Sequence, residues 1–241
     1  MPKVSGSGGS ATDAGSVPID FAWQSMSGPI APFAHRRGGA VVLDREVGIF
    51  GALADQHDPA AWHALADLLG PAGTVGLFPL DVPAPPGWVE TFRLAGVQML
   101  GDAVGGRRRS DVVDLGPDDV DEVVDLVERT RPGPFARRTI ELGGYVGLRD
   151  EGRLVAMSGR RLATDRYIEI SAVCVDPDRR RGGLARVLVE AVIAGIVEEG
   201  RVPMLHAAAS NTGAIALYEA MGFTISRRFD FVGVQAPPGD P

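Results

Sequence analysis

The sequence predicts a mixed α/β fold, on three observations. Ile168, Ile170, Val173 and Val175 give the stretch 167–175 the alternation and β-branching of a buried strand. Ala185, Leu188, Val189, Val192, Ile193, Ile196 and Val197 then recur at helical spacing, so a long helix follows at once. Strand and helix signals also alternate through the first hundred or so residues, which predicts an α/β lobe ahead of the main one.

Taken in order, residues 1–16 are rich in Gly and Ser and are expected to be disordered. In a first lobe, 17–105, the runs at 40–43 and 47–50 read as short strands. Asp58-Pro59 opens a helix, with aspartate as cap and proline at the first helical position. Trp62, Leu65, Ala66 and Leu69 form its apolar stripe, and Gly70-Pro71 ends it. Strands are expected at 74–78 and 97–100, with a proline-rich connection between them. GDAVGGRRRS, 101–110, reads as a flexible joint with solvated arginines.

The second lobe, 111–236, opens with a strand at 112–115. Pro117-Asp118-Asp119 starts a helix with acids in its first turn, where the helix dipole favours them. Val120, Val123, Val124 and Val127 are its buried face. A second short helix is expected at 135–142. Strands at 144–149 and 153–162 form a hairpin about Asp150-Glu151-Gly152. Beyond the long helix, 203–207 is a strand. Asn211 caps a helix carrying Ala214, Leu217, Tyr218 and Met221, which Gly222 ends. Strands at 223–226 and 228–234 close the fold.

Chemistry concentrates where the strand 167–175 meets the long helix. Asp176-Pro177-Asp178 stops the strand, and an arginine- and glycine-rich loop, 179–183, follows. The first N–H groups of a helix have no internal partner, and the helix dipole adds roughly half a positive charge there. Gly182 and Gly183 let an anion come close to the backbone. The loop has neither the GKS/GKT ending of an ATPase phosphate loop nor GxGxxG, so it suits a phosphate-bearing ligand of another kind.

Two motifs, VCVDPDRRRGGLA and LHAAASNTGAIALYEAMGF, stand in the order and separation of the GNAT superfamily of acyl-CoA-dependent N-acetyltransferases, which residues 111–234 resemble. The family's pyrophosphate loop, Arg/Gln-x-x-Gly-x-Gly/Ala, is matched by Arg180, Gly183 and Ala185. The sequence departs from it at Arg181-Gly182, where many members have Gly-Arg. The resemblance implies a mixed, mostly antiparallel twisted sheet flanked by helices. It also implies a catalytic domain in 111–236, and the whole chain looks like a two-lobed subgroup whose N-terminal half is a degenerate copy. Acetyl-CoA is the implied co-substrate. The strand residues Val173, Cys174 and Val175 would pair their backbone with pantetheine amides. Arg180, Arg181, Gly182, Gly183, Leu184, Ala185 and Arg186 would hold the pyrophosphate. Asn211 would bond to the pantetheine arm or order the gap between strands, and Tyr218 would protonate the leaving thiolate.

An amine is protonated near neutral pH, so acyl transfer to it benefits from a base. Glu169 is the candidate, four residues before Val173 and therefore on the face of Val173 and Val175 if no bulge intervenes. Glu141 is the reserve. His206 reads as a strand residue facing core or cleft rim rather than as a catalyst. Cys174 alternates away from Val173 and Val175 and is expected in the core, so transfer is expected to be direct, without an acyl-enzyme. The acceptor is expected to be a primary amine of a small molecule. The alternative is a non-catalytic acyl-CoA sensor or scaffold.

Composition limits the other classes. A formal charge of −7 over 241 residues argues against general nucleic-acid binding. His35, His57 and His63 are scattered, so no metal is expected. No apolar run approaches the ~20 residues of a membrane span. Cys174 is the single cysteine, and the start is polar and glycine-rich, so no signal peptide and a cytoplasmic address are expected. A homodimer is left open.

Overall fold

In a computed structural model that describes residues 17–18 and 20–239, one continuous sheet of eleven strands runs through both halves of the chain. The stretch 1–16, expected to be disordered, lies outside the described residues. The elements are α1 (Phe21–Ser27), β1 (Ala34–Arg37), β2 (Ala40–Leu43), β3 (Phe50–Leu53), α2 (Pro59–Leu69), β4 (Thr74–Leu77), β5 (Val89–Leu100), β6 (Val113–Leu115), α3 (Val120–Thr130), β7 (Tyr145–Asp150), β8 (Arg153–Ala163), β9 (Tyr167–Val175), α4 (Leu184–Glu198), β10 (Val202–Ala208), α5 (Thr212–Ala220) and β11 (Thr224–Gln235).

The sheet order is β1-β2-β3-β4-β11-β5-β10-β9-β8-β7-β6. Leaving out β6, this order reads the same from either end once β1 to β5 are exchanged for β7 to β11. The two parallel contacts obey the same exchange: β3 with β4 around α2, and β9 with β10 around α4. Parallel neighbours need a crossover, and each helix supplies one. The other contacts are antiparallel, as the sequence implies.

At the centre the halves trade strands. β5 belongs by sequence to the first half, yet it lies between β10 and β11. β11 in turn pairs with β4 through Val232–Gln235. The expected strand at 97–100 therefore begins at Val89. The two expected last strands are one, kinked by a bulge between Ile225 and Arg227. The joint at 101–110 is tied down: Arg107 pairs with Glu190, and a Cβ at Gly106 would meet Ala194 N at 2.2 Å.

Helices α2 and α4 cover one face of the sheet, and α1 and α3 the other. Adjacent residues show the alternation. Val41 and Leu43 join α1, while Ala40 and Val42 join α2. Met204 packs with α1, and Leu205 with α4.

Candidate active site

Two facts about β9 shape the site. First, its ladder with β10 covers only Tyr167–Ile170 against Val202–Leu205. Beyond Ile170 and Leu205 the strands part, leaving the β10-facing backbone of 171–175 unpaired in the ladder. Second, the register with β8 jumps from Gly159↔Ser171 to Met157↔Cys174, and Ala172 has φ 53°. That is a bulge, which re-aims the side chains beyond it.

The bulge corrects the expected position of Glu169. Ile168, Ile170, Val173 and Val175 all pack on the α4 face. Glu169 therefore points to the opposite face, away from Val173 and Val175. Cys174 also points away from them, into the core below α3, and burial pushes its thiol pKa up.

The loop after β9 is pinned at its start and open at its end. Asp176 accepts from Asp178 N at 3.1 Å and pairs with Arg129, and Arg179 pairs with Asp150. Arg180 donates to Val175 O at 3.3 Å. Arg181 forms no ion pair among the described residues, and its φ of 65° keeps the left-handed turn that glycine takes more easily. Gly183, at φ 75°, precedes α4 without any side-chain cap. A Cβ built there meets nothing within 4 Å, so the space beside the first amides of α4 is open. Leu184 and Ala185 are half-buried, and Arg186 is held by Glu190 at 3.0 Å. Uncapped donors, an unpaired guanidinium and open space fit a diphosphate. Gly183→Val should therefore weaken coenzyme A binding at least about tenfold in calorimetry, with the fold retained at a strain of ~1–2 kcal/mol. Unchanged affinity would mean that the phosphates lie elsewhere.

Asn211 is committed to α5, where its side chain accepts from Ala214 N at 3.2 Å. It thus orders the start of that helix. Tyr218 is buried in the α4-face cluster with Val173, Val175 and Leu184, its ring 6.1 Å from Phe223. Burial pushes its hydroxyl up to about 12.

The opposite face holds a charged group that sequence reasoning missed. Glu169 is fully buried. Arg161 grips it with two bonds, one of 2.9 Å from Nε, and His206 Nδ1 lies 2.7 Å from Oε1. Leu162 N approaches Oε2 at 3.4 Å. Burial alone would push this carboxyl up, but the Arg161 charge and then His206 outweigh it and hold it at about 2. Gln98 Nε2 lies 3.1 Å from His206 Nε2, and Ser226 Oγ, at the β11 bulge, is 3.1 Å from Gln98 Oε1. Aromatic rings enclose the group. Arg161 sits 4.4 Å over Phe50, and His206 lies 5.3 Å from Phe78 and 5.2 Å from Phe229. His206 faces the core, as expected; Arg161 and Gln98 were not singled out. The signal available was Arg160-Arg161 inside an otherwise apolar strand, since a charge there needs a partner. Glu141, the reserve base, is exposed and held by Arg138 at 2.9 Å.

The first half contains a counterpart of the fork, built differently. β3 and β4 pair only at Phe50↔Gly76 and Gly51↔Leu77 and then separate around a cavity of about 230 Å³. Gln56 bridges the gap, donating to Pro79 O at 2.7 Å and accepting from Asp81 N at 2.8 Å. Asp58 caps α2 through Ala60 N. An aspartate capping α2 disfavours an anion there, unlike the uncapped start of α4.

A family model described as FR47-like protein matches residues 145–232. The [ribosomal protein bS18]-alanine N-acetyltransferase of Escherichia coli K12 is 36% identical over 86 residues, 34% of this chain and 57% of that protein, so the match spans little more than half of that relative. The mycothiol acetyltransferase of Kocuria rhizophila is 45% identical over 56 residues, 23% of this chain and 18% of that protein. A crystal structure of a GNAT-family protein from Novosphingobium aromaticivorans is 36% identical, with 92% of this chain and 98% of that one covered at a TM-score of 0.83. With that likeness over nearly the full length, and the forked strands and open α4 start described above, the chain belongs to the GNAT family.

Proposed function

We propose that the protein is an N-acetyltransferase that uses acetyl-CoA to acetylate a primary amine of a small molecule. The observation that carries this is the open, uncapped start of α4 beside the fork of β9 and β10. Acetyl-CoA would supply an activated acyl thioester. In this reading the catalytic machinery belongs to 111–236. The amides of Leu184, Ala185 and Arg186 with Arg180 and Arg181 hold the diphosphate. The backbone of 171–175, Cys174 included, pairs with the pantetheine arm. Tyr218 gives the departing sulfur its proton from the α4 face. The 17–105 half, a second copy of the forked strands by its topology, walls the other face.

A small acceptor is favoured because α1, Phe50 and Phe78 close that face, leaving near His206 a cavity of only about 10 Å³ beside the 230 Å³ one. Cys174 is buried with a raised thiol, which supports direct transfer without an acyl-enzyme. The test is a panel of small amines and an amino-terminal peptide, assayed for thiol release from acetyl-CoA. Release with small amines is expected. Release with the peptide alone would overturn the small-molecule acceptor, and binding of acetyl-CoA without turnover would make the protein a sensor.

A further inference from the structure

The base that an amine requires has to be sought beyond Glu169. A carboxylate offers about four lone-pair directions. Two are taken by Arg161, one by His206 Nδ1, and Leu162 N approaches the remaining one. With no exposed surface, this carboxylate has no direction left from which to meet a substrate.

His206 is also buried, its side chain 3% exposed, but it stands at the fork. Leu205↔Ile170 is the last rung shared by β10 and β9, so His206 is the first β10 residue at the fork. The bonds around it fix its tautomer. The ionised Glu169 only accepts, so Nδ1 carries the hydrogen. A neutral imidazole with its hydrogen on Nδ1 has none on Nε2, so the Gln98 amino group, 3.1 Å away, donates to it; Ser226 Oγ lies 3.1 Å from Gln98 Oε1 and 3.2 Å from Gln98 O. Nε2 is therefore an acceptor, and His206 is among the residues lining the small cavity bounded by Phe21, Gln98, Arg227 and Phe229. Glu169 from β9 and Arg227 from β11 are the charged groups facing it, with Arg161 of β8 behind Glu169; Phe21, Phe78, Phe229 and Phe231 supply the rest of its surroundings.

We propose that His206 Nε2, at the fork of β9 and β10, takes the proton of the acceptor ammonium group, with Glu169 as the positioning residue that holds the imidazole in its Nδ1–H form. This assignment rests on the acetyltransferase reading. The ammonium N–H displaces the Gln98 amide from Nε2. Freed of that proton, the nitrogen lone pair forms the C–N bond at the thioester carbonyl, and the C–S bond breaks. The nitrogen loses two protons in all. One leaves through His206 to solvent, and the other replaces the one that Tyr218 has given to sulfur. Acid and base thus stand on opposite faces of the sheet, with the gap between the strands separating them.

The test is the pH profile of kcat/KM for the best amine of the panel, with His206→Gln beside the full-length wild type. The variant should lose about a hundred- to ten-thousand-fold in kcat near neutral pH, keep its affinity for coenzyme A, and lack the acid limb of the profile. Nitrogen NMR of the imidazoles in the unmutated protein should show His206 as the Nδ1–H tautomer. An Nε2–H tautomer, or an acid limb unchanged in His206→Gln, overturns the assignment while leaving acetyl transfer intact. Absence of thiol release by the wild type overturns the acetyltransferase reading and this assignment with it.

Discussion

Tyr218→Phe is expected to lower kcat by about a hundred- to ten-thousand-fold while coenzyme A binds as before. The hydroxyl makes no hydrogen bond among the described residues, and the ring packs in the α4-face cluster. Removing the oxygen keeps the packing and leaves no buried partner stranded, so Tm should move by no more than about 4 °C. Burial holds the hydroxyl up to about 12, which keeps its proton in place across the working range. Turnover should then show no alkaline fall from this group below about pH 11. Steady-state kinetics beside calorimetry checks the split: equal losses in turnover and affinity would make Tyr218 a packing residue.

Arg161→Met should be the most destabilising single change at the site. It leaves the Glu169 carboxylate buried with only His206 and a long contact to Leu162 N. Breaking one side of a buried pair costs roughly 3–5 kcal/mol, or about 6–20 °C in Tm for a chain of this size. The pH dependence has a defined sign. Glu169 falls from an ordinary 4.5 to about 2 in the fold. A depressed carboxylate contributes stability that is present above the higher value and lost as pH falls through the lower one. The gap between wild type and variant should therefore be widest near neutrality and close between about pH 4.5 and 2. Denaturant melts across that range would sink the account if the gap held constant.

Much of the local structure of the candidate site was legible because its signals are local. The β-branched alternation of β9, the stop at Asp176-Pro177, the glycines ahead of α4 and the Asn211 cap each depend on a few adjacent residues. What escaped depends on distant parts of the chain. Val173 and Val175 left the face of Glu169 because β9 bulges against β8 at Ala172, a matter of pairing register that no residue of β9 announces. The strand at 97–100 was seen eight residues short because Val89–Ala95 is exposed and becomes strand by pairing with β11. α1 is seven residues long and β1 is AHRR, so neither shows an apolar period. The expected strand at 47–50 starts at Phe50 instead, because Val47 and Gly48 both donate to Asp44 O in a turn. The Arg161–Glu169–His206 group joins three strands, and pairing of that kind cannot be read from one stretch.

The exchange of β5 and β11 has a consequence for how the protein can be cut. A fragment of 111–236 would keep the α4 start, Asn211, Tyr218 and His206, yet lose the strand that fills the gap between β10 and β11. Bare backbone along β10 from Met204 to Ala208 would then face water or another molecule. His206 would lose Gln98, Phe21 and Phe78 together. The second half is thus neither excisable nor freely portable into a fusion, and insertions or deletions between the halves are constrained by the reach that β5 needs to enter the other half.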